Sequence, residues 1–255
     1  MNYALWITAS SISTNMARQD VTANNLANVN TPAFKPDTLP VRARAVVREE
    51  DNLPFADSNA MLERLGAGVM PMPTVTSFTN GPLEQTGRPL DLAIEGDGFF
   101  MVRDGAGPDA TKLTRDGRMA INADGVIVQA ASGVPMAGAG GGPIRVSMDA
   151  EVEVRPDGAV FQNGQRVGRL AIVEPPSTDV LTKHGQGLFG VPPAVRLTDA
   201  PGLVRQGHVE GSGVDPIKAI MGVTSAGRSA QGGMRMIGII NQNLDALINR
   251  FARIG

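Results

Sequence analysis

Near the two ends of the chain, hydrophobic positions recur with a 4-3 spacing, whereas between them they come in short runs broken by turn dipeptides. From Leu5 the spacing passes through Ala9, Ile12, Met16, Gln19, Ala23 and Leu26. All but Gln19 are apolar, and Thr, Ser, Asn, Arg and Asp fill the positions between them. A stripe this narrow predicts a helix of coiled-coil type from Asn2 to about Asn30. Pro32 stops it, and Thr31 before the proline is pushed toward extended backbone. At the other end Asp215-Pro216 combines an N-cap residue with proline at the first helical position. The same spacing then runs through Val223, Ala226, Ala230, Gly233, Ile237, Ile240, Leu244, Leu247, Phe251 and Ile254, with no charge in the stripe. Gly232 and Gly233 each cost about 1 kcal/mol relative to Ala inside a helix, but small residues let another helix approach closely.

The intervening sequence predicts strands. Asn80-Gly81, Asp104-Gly105, Asp116-Gly117, Asp124-Gly125, Asp157-Gly158 and Asn163-Gly164 are hairpin signals, because both residues of such pairs tolerate positive φ. The runs they bracket include Leu90 to Ile94, Phe99 to Arg103, Met119 to Asn122, Val126 to Gln129, Glu151 to Arg155 and Arg169 to Val173. The stretch 36–79, with Pro40, Pro54, Pro71 and Pro73, reads as an extended connector with a short helix near Ala60 to Leu65. The expected fold is therefore α+β: an antiparallel β-rich central domain, with the N- and C-terminal helices forming a separate coiled-coil-like domain. The expected boundaries are 1–35 for the first helix, 36–79 for the connector, 80–203 for the β domain and 204–255 for the last helix. Neither helix has a partner close in sequence, and an isolated helix is marginal in water. They must pair with each other or with copies of the chain, and head-to-tail contacts that do not close produce a helical filament.

Composition narrows the function. With 31 Gly, 18 Pro and only 4% aromatic residues in 255, the chain suits turns and short strands rather than a helical bundle. A formal charge of −2 provides no long-range attraction for nucleic acid or an acidic membrane. Cysteine is absent, which excludes disulfides and thiolate metal sites. The start, MNYALWITAS, lacks the basic stretch, apolar core and cleavage site of a secretory signal, and no run approaches the ~18 apolar residues of a membrane span. Glu95 to Gly98 and Asn122 to Gly125 lack the ligand alternation and closing Glu of a calcium loop. Gly138 to Gly142 has no following Lys-Ser/Thr to make it a phosphate cradle. His184 and His208 are not at ligand spacing, and there is no Gly-x-Ser-x-Gly element. No enzyme activity, cofactor or metal is expected. A periplasmic β-rich binding module or enzyme docked by terminal helices is the alternative, but Trp6 and Tyr3 lie in the first helix, away from any sugar-stacking groove.

Four segments carry a family resemblance. ANNLANVNTPAFK, from Ala23 to Lys35, resembles the N-terminal signature of flagellar rod and hook proteins, with Pro32 and Ala33 where Thr (or Pro) and Gly are usual. TNGPLEQTGRPLDLAIEGDGFF, from Thr79 to Phe100, is similar to the family's entry into its β domain. LTRDGRMAINADGVIV, from Leu113 to Val128, is similar to its TRDG hairpin. VRQGHVEGSGVDPIKAI, from Val204 to Ile220, resembles the approach to the C-terminal helix, with Gly213 where Asn is usual. The family's Arg-x-aromatic-Glu element is replaced by Arg228, Ala230 and Gln231. LDLAIEGDGFF is more like the distal rod type, whereas Arg18 to Asp20 is more like the proximal type.

The resemblance implies a rod subunit, or alternatively a hook-type or hook-associated subunit. Such a subunit is exported unfolded through the flagellar type III apparatus and assembles with itself and with other rod and hook subunits. Its place would be the basal body, across the periplasm, with no small-molecule substrate and no nucleic acid. The residues expected at the assembly interface are Leu5, Ile12, Met16, Asn24, Asn25, Leu26, Asn28, Phe34, Ile237, Ile240, Leu244, Leu247 and Phe251. Within this set the asparagines are expected to hydrogen-bond neighbouring subunits, and Leu26 and Phe34 to anchor packing.

Overall fold

A computed structural model describes residues 3–46, 66–105, 107 and 110–251, and the side chains of Leu247, Arg250 and Phe251 are outside that description. The short helix expected near residues 60–65 falls outside the described residues. Helix α1 spans Tyr3–Ala27, and helix α2 spans Pro216–Phe251. At 1.5 Å per residue α2 is about 54 Å long. Its start is built as the sequence suggests: Asp215 Oδ1 accepts from the backbone N–H groups of Ile217 (3.0 Å) and Lys218 (3.1 Å). No helix among the described residues is long and apolar enough to cross a membrane.

Between the helices lie short strands. They are β1 (Asp37–Thr38), β2 (Val41–Ala43), β3 (Val69–Pro71), β4 (Val75–Thr76), β5 (Leu83–Gln85), β6 (Leu92–Glu95) and β7 (Phe99–Arg103). Then come β8 (Thr111–Thr114), β9 (Met119–Ile121), β10 (Ile127–Gln129), β11 (Val152–Val154), β12 (Ala159–Gln162) and β13 (Gln165–Arg169). The remainder are β14 (Ile172–Glu174), β15 (Thr182–Lys183), β16 (Leu188–Gly190), β17 (Thr198–Asp199), β18 (Leu203–Gln206) and β19 (His208–Glu210). Every pairing among them is antiparallel. This is the α+β fold expected from the pattern.

Internal contacts divide the chain into two units, and neither is a continuous piece of sequence. The helical unit takes residues 1–27, 37–77 and 215–255; the β unit takes 28–36 and 78–214. The stretch read as a connector thus supplies β1 to β4, which pair as β1–β4 and β2–β3 within the helical unit. The end of the N-terminal signature folds with the β unit instead.

The largest sheet of the β unit has the order β15-β16-β8-β7-β14-β17. Period-2 alternation sends successive side chains to opposite faces. Phe100 and Val102 of β7, with Ile172 of β14, enter the main core, together with Leu92, Ile127, Met136, Val160 and Leu170. Phe99 and Val173 enter a smaller core on the other side with Leu113 and Phe189. There Phe78, Phe99 and Phe189 pack edge to face at 5.1 to 6.0 Å.

Four of the six expected turn dipeptides join paired strands: Asp104-Gly105, Asp124-Gly125, Asp157-Gly158 and Asn163-Gly164. Their glycines all have positive φ, and Asn163 shares it at 50°. The other two do not make hairpins. At Asp116-Gly117 the glycine is required by proximity, since a Cβ there would lie 1.6 Å from the Leu92 carbonyl oxygen. At Asn80-Gly81 the glycine N–H is a donor to a buried carboxylate, described below.

Candidate assembly interface

In the helical unit α1 and α2 run antiparallel: Ile12 meets Gly233, Gln19 meets Gly227 and Thr22 meets Gly222. The approach is close because α2 presents small residues. A Cβ at Gly233 would come within 2.5 Å of Ile12 Cγ1, and one at Gly222 within 2.9 Å of Thr22 Cγ2. Ala226 and Ala230 are buried on the same face. Ala230 stands where the family usually has an aromatic, and a large ring there has no room beside a helix drawn in by glycines. From Val223 to Ile240 the stripe expected on α2 is therefore its covered side. Ile237 and Ile240 are half-buried, and Leu244 is at the edge of exposure at 37%. Leu247 and Phe251 have side chains outside the description.

The stripe expected on α1 is only partly its covered side. Leu5, Ile12, Gln19 and Leu26 are half-buried, but Ala9, Met16 and Ala23 are exposed. Polar residues take part instead: Thr8 and Thr22 face the glycines of α2, and Thr14 is buried. Small residues opposite make this possible, and Thr8, Thr14 and Thr22 each donate the hydroxyl back to the helix carbonyl four residues earlier. A second flank of α1 is covered by β1 and β3, where Ser10 Oγ accepts from Val69 N–H at 3.4 Å.

The asparagines of the signature divide by position. Asn25 is spent inside the chain: its amide donates to the Asp37 carbonyl (2.7 Å) and accepts from Asp37 N–H (3.0 Å). Asp37 in turn accepts from the Thr76 hydroxyl at 2.6 Å, so one asparagine clamps the β1–β4 pair to the helix end. Asn24 is exposed, and Asn28 accepts from the Thr31 hydroxyl through its side chain and from Ser212 through its carbonyl. Phe34 is half-buried outside both cores, under the Lys183 ammonium at 4.8 Å from the ring centre.

The β unit holds a cluster that the sequence reading did not single out. Lys35, Arg115 and Glu210 are 1%, 3% and 2% exposed. Lys35 Nζ donates to Glu210 Oε1 at 2.7 Å and to the carbonyls of Thr79 (2.9 Å) and Phe78 (3.4 Å). Gly81 N–H donates to the same Oε1 at 2.8 Å. Arg115 reaches Glu210 Oε2 at 3.5 Å, donates to the Ile94 and Gly96 carbonyls, and lies 5.3 Å from the centre of the Phe99 ring. Each of the four resembling segments contributes to this knot: Lys35 from the first, Thr79, Gly81, Ile94 and Gly96 from the second, Arg115 from the third and Glu210 from the fourth.

Two cations meet one anion here, away from water. Burial pulls Lys35 below the usual lysine range, and the attraction and hydrogen bond of Glu210 only partly restore it. Burial likewise lowers Arg115, opposed by Glu210, Asp97 and Glu174. Arg115 Nε has no hydrogen-bond partner among the described residues. Around the knot the backbone is held tightly. Ala33 adopts φ 56°, costing a non-glycine residue about 1–2 kcal/mol, and is kept there by its N–H bond to the Glu210 carbonyl at 2.8 Å. Gly213 N–H donates to the Phe34 carbonyl at 2.9 Å, and a Cβ at 213 would lie 3.1 Å from Pro36 Cδ. In the sequence only Lys35 stands out, as the one charge of its motif; Arg115 and Glu210 each sit among other charged residues of theirs.

Comparison with known proteins points to one family. Residues 7–35 match the family model for flagella basal body rod proteins, ending at the buried lysine. Residues 93–162 match the model for the D1 domain of flagellar hook proteins FlgE/F/G. The chain is 32% identical over 262 residues to the flagellar basal-body rod protein FlgF of Caulobacter vibrioides, covering 100% of both chains. It is 28% identical to FlgF of Salmonella typhimurium, over 95% of this chain and 96% of that one. It is 29% identical to the rod protein FlgG of Buchnera aphidicola, over 96% of this chain and 98% of the relative. With two family models and a relative 32% identical over its whole length agreeing, the chain belongs to the flagellar basal-body rod protein family.

Proposed function

We propose that this protein is a structural subunit of the bacterial flagellar basal-body rod, polymerising helically through its terminal helices into the shaft that carries motor torque to the hook. The observation that supports this reading best is the helical unit's uncovered apolar surface. Ile217 and Ile248 are 69% and 64% exposed on α2, as are Ile220 and Ile239 in lesser degree, and Trp6 is 52% exposed on α1. A helix pair whose own contact is made largely by glycine and alanine keeps large apolar side chains exposed along its length, which suits packing against further chains. The partners are further copies of this chain and other rod and hook subunits. The subunit reaches the rod through the flagellar export apparatus. Of the residues named from the sequence, Leu244 on α2 and Met16 and Asn24 on α1 belong to this surface; Ile12 and Asn25 position it.

The test is a strain whose own copy of the gene is replaced by a Leu244→Asp or Phe251→Asp variant. Normal circular dichroism and a normal melting temperature of the purified variant, with loss of swimming and absence of the subunit from isolated basal bodies, are the expected result. Swimming cells with a complete rod overturn the proposal. Immunogold labelling of wild-type basal bodies then assigns the subunit's level along the rod.

A further inference from the structure

The methionines sort by unit. In the β unit Met119 and Met136 are buried in the main core, Met101 is half-buried and Met148 is exposed. In the helical unit every described methionine is exposed: Met16, Met70, Met72, Met221, Met234 and Met236. Met221, at 66%, borders a shallow groove on α2 beside Ile220, Thr224 and Arg228, and Met234 and Met236, each 52% exposed, lie on either side of the uncovered surface. The chain has no cysteine, so these thioethers are its softest nucleophiles.

We propose that Met221, Met234 and Met236 are sulfoxidation sites, and that a subunit oxidised there is excluded from assembly; the second half rests on the rod reading above. The oxidant is hydrogen peroxide. A sulfur lone pair attacks one peroxide oxygen and the O–O bond breaks. The sulfur gives up two electrons and keeps that oxygen; the other leaves as hydroxide and takes the proton from the oxygen now on sulfur, giving a sulfoxide and water. An apolar, flexible side chain becomes a polar one with a strong acceptor, on the faces of α2 that α1 leaves open. Burying such a group against another subunit then lacks both its hydrophobic gain and a donor for the new oxygen. The buried methionines of the β unit keep that unit folded through the same exposure.

The experiment is pool comparison. Cells carrying the full-length protein as their only copy are given hydrogen peroxide while rods are being built, and the soluble pool and isolated basal bodies are digested and analysed by mass spectrometry. Sulfoxide at Met148 in the soluble pool shows that the oxidant arrived. At Met221, Met234 and Met236 sulfoxide is expected to be about tenfold rarer in basal bodies than in the soluble pool, the factor that corresponds to losing one buried apolar side chain. A Met221→Leu/Met234→Leu/Met236→Leu variant is expected to keep assembling at a peroxide dose that stops the wild type. Equal sulfoxide in both pools, or no protection by the leucines, overturns the proposal. Absence of the protein from basal bodies of untreated cells overturns the rod reading instead.

Discussion

Glu210→Gln is the most informative single change in the molecule. It preserves shape and leaves an acceptor for Lys35 or for Gly81 N–H, now at 2.7 and 2.8 Å from Oε1. It removes the carboxylate that both Lys35 and Arg115 touch, at a site where they are 1% and 3% exposed. It also turns an amide donor toward one of the two cations. Removing one partner of a buried ion pair costs about 3–5 kcal/mol, because a charge is left without compensation. For a chain of this size that lowers the melting temperature by roughly 6–20 °C. Lys35→Met is the contrasting change. It leaves Arg115 and Glu210 as a one-to-one pair and sacrifices the bonds to the Phe78 and Thr79 carbonyls, costing about 1–3 kcal/mol. The double variant is expected to lose less than the sum of the two. Urea and thermal unfolding of the full chain, followed by circular dichroism, measures all three. A Glu210→Gln variant within about 1 kcal/mol of wild type, or less damaged than Lys35→Met, refutes the reasoning. A pH series adds a sign. Because burial depresses Lys35, the unfolded chain binds more protons than the folded one between that depressed value and the ordinary lysine range. The lysine's contribution to stability therefore rises with pH through this window and is a constant penalty below it. The wild type should gain on Lys35→Met as pH is raised from neutrality into the alkaline range.

Adjacent glycines of α2 should answer oppositely: Gly233→Leu collides with Ile12 and separates the helices, costing about 1–3 kcal/mol, whereas Gly232→Ala, with open space around it, stabilises the helix by about 1 kcal/mol. Limited proteolysis of the termini, with helix content read at 222 nm, distinguishes the two; a harmless Gly233→Leu contradicts the close approach. Asn25→Ala removes the two-way clamp on Asp37 and should cost about 1–3 kcal/mol, with faster hydrogen exchange at Asp37 N–H; unchanged exchange contradicts the clamp. Asp215 is held below its usual range chiefly by the backbone N–H of Lys218, so its capping contribution is complete above the ordinary carboxylate value and is lost as pH falls through the depressed one. Asp215→Asn should flatten that acid limb of helix content, and an unchanged limb contradicts the cap.

The helices and the strand-rich middle were legible because their periods differ and because Asp215-Pro216 and Pro32 punctuate them. The covered side of α2 was legible for the same reason. The covered side of α1 was not, since hydrophobicity is a poor guide where glycine faces it: Thr8 and Thr22 lie inward and Met16 outward. Turn dipeptides were reliable where strands were adjacent, but Gly81 and Gly117 answer to a carboxylate and a carbonyl brought close from elsewhere in the chain. Lys35, Arg115 and Glu210 were invisible for a related reason: a charged residue reads as surface until the fold brings its counter-charge from 175 residues away.

That separation governs when the molecule can take shape. Lys35 must wait for Glu210, and α1 must wait for residues after Asp215, so a polypeptide delivered amino end first holds neither finished unit until most of its length is available. Pairings between such remote stations make folding slow, so the newly made chain stays open for longer than one held together by local contacts.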